Sequence, residues 1–372
     1  MKKTKNFSKI AKTQLKTFKE GKIMIACTFV HGYENNYNPG GDLPALLIVS
    51  NDVSYYNYEF PRNPLEFQET KLNIKGELPL ESAKNFPVLP RFGFTGCAID
   101  SERIYCGSWN GVYEIDTVNF ECIAFITHRL MNDLHGICIN KTKIYTILTG
   151  KDTVVVTSKE GEILNTYTIN NKLEVNQNNP QLMEHDWRFI SKQFRGSTGL
   201  FHFNYIQVID GKIWLTSRNL GCFVVLDVET NTAELRTINQ KTVVLLHDGV
   251  YKNNAFYFTS IDGKILISSE SEAHNPREQF DEITYFNRDL NSKVIRLEET
   301  ELGYQPNWCR GIDIKDQEIT ITIDGLYGSD LSFKLISLTE NGELKRNNKI
   351  EWKKIGAEKN LRYVTGFDVK YL

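Results

Sequence analysis

A cadence of short alternating strands repeats along this chain and leaves few folds open to it. Residues 97–99, 103–107, 111–115 and 120–125 form four such runs. The turns Trp109-Asn110-Gly111 and Asp116-Thr117-Val118-Asn119 separate the later ones. Period-two alternation bounded by Asn, Asp and Gly marks hairpin-linked strands. The pattern returns at 136–139, 143–145, 153–157 and 163–169, then at 205–209, 212–216, 222–226 and 233–238. It recurs at 249–251, 255–259, 264–268 and, less regularly, 293–297, and finally at 311–314, 318–323, 333–338 and 344 onward.

Five four-stranded antiparallel meanders are therefore expected, and the two chain ends supply a sixth. Residues 365–369 read as an innermost strand with no successors, while 22–27, 45–49 and 53–60 read as strands lacking an innermost one. Joining them completes a blade and removes exposed sheet edges. The expected fold is all-β: a single six-bladed β-propeller over 22–372, closed by the C-terminal strand pairing with the N-terminal strands. A basic flexible tail, 1–21, precedes it.

The repeat can be put in register. Counting back eight residues from Ile104, Ile144, Ile213, Phe256 and Ile319 reaches Gly96, Gly136, Tyr205, Asp248 and Gly311. The residues just before these are Thr95, His135, Asn204, His247 and Arg310, and Thr365 precedes Gly366 in the closing strand. Equivalent places in a ring face one another, so these six side chains are expected to converge where the inner strands begin. Two histidines and an arginine are unlike a packing choice, because charged groups are seldom buried without partners. The structural alternative is a wet channel whose polar residues satisfy strand ends and ordered water.

Other residues can join this set. His202 lies two positions before Asn204, on the same side of an extended strand. Asp248 can orient the His247 imidazole or cap a turn. Trp308, just before Cys309-Arg310, is the aromatic candidate for the channel mouth. Trp109 and Trp187 are further candidates for stacking, whereas Trp214 reads as core. The long segments 30–44, 61–94, 170–202 and 325–332 are expected to roof the channel and to bring His31, His185, Asp186, Trp187 and Arg188 with them.

Two chemistries fit. In one, His135 and His247, with Asn204 or His202, hold a divalent iron, zinc or copper ion with open positions, and Arg310 binds an anionic group bidentately. In the other, one histidine is a general base or nucleophile while Arg310, Asn204 and the second histidine stabilise negative charge. The catalytic candidates are His135, His247 and Arg310. Asn204, Thr95, Thr365 and Trp308 are the substrate-binding candidates. The substrate is a small polar molecule or an anionic one carrying a carboxylate, phosphate or sulfate. Gly40-Gly41 continues as Asp42-Leu43-Pro44, without the ending a phosphate loop needs, so no nucleotide or flavin site is expected.

The blade cadence resembles the six-bladed superfamily that includes gluconolactonase-like, strictosidine-synthase-like and NHL-repeat proteins. Gluconolactonase-like enzymes use an acidic and amide set around a divalent metal, and only Asn204, before Tyr205-Ile206-Gln207-Val208, looks like that pattern. His135, Asn204, His247 and Arg310 are similar to the channel inventory of aryl-sulfate sulfotransferases, where one histidine is the nucleophile. A different class stays open: a non-catalytic propeller that recognises a sugar, peptide or protein.

Composition narrows the setting. A net charge of −2 over 372 residues gives no electrostatic reason to expect nucleic acid. The charge is uneven: the first 22 residues carry eight lysines against Glu20, hence +7, which leaves −9 for the rest. That segment reads as a solvated tail, or as a contact for an anionic surface. It lacks the apolar stretch of a signal peptide, and no run reaches membrane-spanning length. Seven cysteines form no C-x-x-C pair and read as reduced, mostly buried thiols, which points to the cytoplasm.

Overall fold

The computed structural model describes residues 23–31, 45–50, 54–58, 67, 69–79, 91–189, 200–237, 245–261, 263–269, 293–296, 307–324, 332–351 and 361–371. The tail 1–21 and most of the segments 30–44 and 325–332 lie outside them. So do the side chains of His31, Trp308 and Thr365, whose backbones are described.

The strands fall into six sheets. In chain order the first elements are β1 (Ile23–His31), β2 (Ala45–Ser50), β3 (Ser54–Tyr58), β4 (Ile74–Gly76) and β5 (Arg91–Gly93). One blade follows as β6 (Gly96–Ile99), β7 (Arg103–Gly107), β8 (Val112–Asp116) and β9 (Cys122–Thr127). The next is β10 (Leu134–Asn140), β11 (Lys143–Leu148), β12 (Thr153–Ser158) and β13 (Ile163–Ile169), with β14 (Val175–Gln177) on its outer edge. Then come β15 (Phe203–Ile209), β16 (Lys212–Ser217), β17 (Cys222–Asp227) and β18 (Thr232–Thr237). They are followed by β19 (Leu246–Lys252), β20 (Ala255–Ser260), β21 (Lys264–Ser269) and β22 (Lys293–Arg296). A further blade comprises β23 (Asn307–Lys315), β24 (Glu318–Asp324), β25 (Ser332–Thr339) and β26 (Leu344–Glu351), and β27 (Leu361–Tyr371) ends the series.

Each blade is an antiparallel meander in sequence order, the arrangement of a β-propeller. The chain-end sheet runs β27-β1-β2-β3, with register from Ile23↔Tyr371 to His31↔Leu361 between its first two strands. Adjacent sheets pack face to face through apolar side chains, which is why each strand alternates. Tyr105, Val112 and Ile126 meet Leu134, Ile137 and Ile144. Trp214, Phe223 and Val225 meet Leu246, Phe256 and Leu266. Phe333 and Leu335 share a core with Ile23, Ile25 and Val369 and with Ile104 and Phe125, joining the β23–β26, chain-end and β6–β9 sheets.

Three strands were not expected, and they revise the roof assigned to the long segments. β4, inside 61–94, runs parallel to β9 on the outer rim of its blade, and β5 pairs with β1. β14, inside 170–202, pairs with β13, also an outer strand. β4 and β14 thus thicken their blades at the outer edges, whereas β5 lies beside β1 beyond the end of its pairing with β2. No helix among the described residues is long and apolar enough to cross a membrane.

Candidate functional site

One local device builds the candidate site. In β10, β15, β19 and β23 the pairing with the second strand skips a residue in the spans 134–137, 203–206, 246–249 and 309–312. Each is a β-bulge, and His135, Asn204, His247 and Arg310 are all bulge residues. A bulge puts two residues opposite one, breaks the ladder and re-aims side chains, and bulges are common beside functional sites. The backbone groups it releases need partners. Thr216 Oγ1 accepts from the Tyr205 N–H at 3.1 Å and donates to the His247 carbonyl at 2.7 Å, and Thr259 Oγ1 accepts from the Asp248 N–H at 3.1 Å. At Gly311 an added Cβ would lie 2.5 Å from Asp368 Cα, so the neighbouring inner strand leaves no room for a side chain there.

The bulge residues meet in pairs and are buried. His135 Nδ1 lies 2.8 Å from Asn204 Oδ1, and its Nε2 lies 3.1 Å from Asp133 Oδ1. His202, whose φ of 50° places it in the left-handed region, sets its ring edge-on to His135 at 5.5 Å between centroids. The Arg310 Nη1 approaches His247 Nε2 at 3.0 Å, and Arg310 Nε donates to Asp324 Oδ2 at 2.9 Å. His247 Nδ1 lies 3.1 Å from Asp248 Oδ2. Thr95 Oγ1 donates to the Leu134 carbonyl, beside His135, so that side chain ties neighbouring inner strands together. The sixth position, Thr365, lies on β27 and Trp308 on β23; both side chains are outside the description.

These partners fix the state of His247. A guanidinium only donates, so Nε2 accepts from Arg310, the ring proton sits on Nδ1, and Asp248 Oδ2 accepts it. Burial holds this imidazole well below its usual pKa, and the positive charge of Arg310, His135, Arg218 and His202 adds to the effect. Burial also raises the Asp248 carboxyl well above the ordinary range, with Asp368 contributing. His135, His202, Arg218 and Arg310 are thus all within electrostatic reach of His247. Asn204 is fully buried, and its Nδ2 has no hydrogen-bond partner among the described residues.

The imidazoles expected as metal ligands have other partners here. Both nitrogens of His247 are engaged, one by a cation, and those of His135 face Asn204 and Asp133. No group of three His, Cys, Asp or Glu side chains able to hold an ion occurs among the described residues. His202 meets the His135 ring edge-on, with no part in a ligand cluster among the described residues.

Several loop candidates take structural places. Asp186 and Arg188 form a fully buried ion pair at 2.6 Å, and Arg188 also donates to the carbonyls of Glu77 and Leu78. Trp187 is buried and donates its indole N–H to the Leu182 carbonyl. His185 is exposed and meets the Trp187 ring edge-on. Trp109 lies in the core, as Trp214 does, so neither is a stacking platform at the mouth.

Three contributors escaped the sequence reading: Asp133, Arg218 and Asp324. The register already used would have found two of them. Counting five forward from the second-strand anchors reaches Trp109, Thr149, Arg218, Ile261 and Asp324, the mouth end of each second strand.

No protein-family model and no curated protein matches the chain. Among solved structures, a chain of a nidogen–laminin complex is similar in fold. The TM-score is 0.50 at 9% sequence identity, covering 94% of this chain and 98% of that one. The likeness shows the β-propeller and carries no function across.

Proposed function

We propose that the six sheets are the blades of one closed ring, and that the protein is an enzyme acting on a small molecule with an oxyanionic group at the channel mouth. The observation that carries this reading is the common bulge. Four consecutive inner strands depart from regular pairing at the same place, and each presents a buried polar side chain there. Closure is supported by the β27–β1 pairing and by the core shared between the fifth, chain-end and first-blade sheets.

Arg310, with Arg218 near it, supplies positive charge, and Asn204 Nδ2 supplies a donor for a ligand oxygen. His247 holds its proton on Nδ1 against Asp248, which leaves Nε2 as the atom that accepts a proton from substrate. Of the resembled families, the aryl-sulfate sulfotransferase inventory is nearer, because the four bulge residues include no acidic ligand. Cys97 and Cys106 are buried thiols, in keeping with a cytoplasmic setting.

The test is turnover of 4-nitrophenyl sulfate, phosphate and carboxylate esters, with calorimetry for the inorganic anions. One ester class should be cleaved, and His247→Gln should lower its kcat about 100- to 10,000-fold with little change in melting temperature. Anion binding without turnover of any class would favour a recognition propeller instead.

A further inference from the structure

The guanidinium that would receive the oxyanion lies across the lone pair of the proposed base. Arg310 Nη1 is 3.0 Å from His247 Nε2, and the ring proton sits on Nδ1 facing Asp248 Oδ2, so Nε2 is the only basic nitrogen of that ring. A lone pair already accepting from a cation cannot take a proton from substrate. The same group therefore has two tasks that exclude each other in time.

We propose that Arg310 is a removable cap on His247, drawn off Nε2 when an oxyanion seats at the channel mouth, with Asp324 as the positioning residue that anchors it. This rests on the oxyanion reading of the mouth. Arg310 Nε donates to Asp324 Oδ2 at 2.9 Å, on the edge of the guanidinium away from Nη1. That bond is a pivot: Nη1 can turn from the imidazole to a ligand without the side chain losing its carboxylate.

The incoming group gains a second donor in Asn204 Nδ2, buried and unpartnered among the described residues. An orphan buried donor favours a ligand that brings an acceptor. Uncapped, Nε2 can accept a proton from a substrate X–H: that bond breaks, Nε2–H forms, and Asp248 faces the resulting imidazolium through Nδ1–H. A neutral analogue of the same shape leaves the cap in place. The cap is thus a specificity device, since charge on the substrate decides whether a base exists at all.

Histidine-directed 15N NMR of the full chain reads this directly, with inorganic phosphate as probe and calorimetry run in parallel. The free protein should show Nδ1–H and a hydrogen-bonded Nε2. Saturating phosphate should move the Nε2 resonance downfield, towards an uncapped nitrogen. The double variant Arg310→Met/Asp324→Asn removes both buried charges together. It should show the downfield position without phosphate and ignore its addition. Should that pair not fold, Arg310→Lys, with one ammonium in place of a fork, should shift Nε2 in the same direction.

Phosphate that binds by calorimetry while Nε2 stays still overturns the cap and leaves the oxyanion site standing. Phosphate that fails to bind overturns the oxyanion reading instead. The variants then judge the cap alone, and an unmoved Nε2 in them overturns it.

Discussion

Gly311→Ala should loosen the chain-end sheet from its neighbour, and its cost can be worked from the coordinates. The added methyl would lie 2.5 Å from Asp368 Cα, 2.6 Å from Val369 N and 2.7 Å from Asp368 C. Carbon atoms rest at about 3.5–4.0 Å, so the shortfall is about 1 Å. It falls on three backbone atoms, which have no rotamer to yield. Moving β27 by that amount strains its ladder with β1, which is paired from one end to the other. Overpacking typically costs about 1–3 kcal/mol, and a rigid neighbour puts this variant at or above the upper end. Gly211→Ala is the control. Nothing lies within 4 Å of that position, and its φ of +78° alone sets a cost of about 1–2 kcal/mol. Urea denaturation followed by tryptophan fluorescence ranks the two, provided the m-value is unchanged. If Gly311→Ala proves no less stable than Gly211→Ala, the close approach of β23 and β27 is wrong.

Two further outcomes are expected. Burial pushes the Asp152 carboxyl up to about 7 despite the N–H groups of Phe201 and His202 that it accepts. A raised carboxyl means the folded state binds more protons, so stability is full below about pH 4 and declines until about pH 7. Against an ordinary value of 3.8 the linkage is worth at most about 4 kcal/mol. Asp152→Asn should remove this slope, as denaturation at pH 5 and pH 8 would reveal; a slope equal to wild type would contradict it. Asp368→Ala removes the acceptor of the Cys97 N–H at 2.8 Å and the partner of Lys370, which should cost about 2–3 kcal/mol. Hydrogen exchange at the Cys97 amide should accelerate, and unaltered exchange there would count against the contact.

The regular strands were legible because alternation and turn residues agree, as in 103–107 and 163–169, which the structure reproduces to the residue. The equivalence of His135, Asn204, His247 and Arg310 along their strands was readable for a related reason: a fixed spacing from an apolar anchor survives the insertion of one bulge residue in each of these four blades. The bulge itself was not readable, since one extra residue leaves the apolar pattern on either side intact. β4, β5 and β14 have three residues each, too few for any period to show. Asp133 was invisible because its tie to His135 depends on a left-handed backbone at φ 52°, which spacing along an extended strand does not anticipate. The structural role of Arg188 was hidden because two of its partners lie more than a hundred residues away, at Glu77 and Leu78.

Below the bulges, side chains of one inner strand hold the backbone of the next. Gln207 Oε1 accepts from the Tyr251 N–H at 2.9 Å, Asp313 Oδ2 from the Tyr371 N–H at 2.7 Å, and Asp368 Oδ2 from the Cys97 N–H. Inner strands that share no ladder are thereby tied at three junctions, and the backbone below the bulges has little freedom to reshape. Any molecule received there must adapt to the protein, and selectivity is set by which guests match a stiff mould.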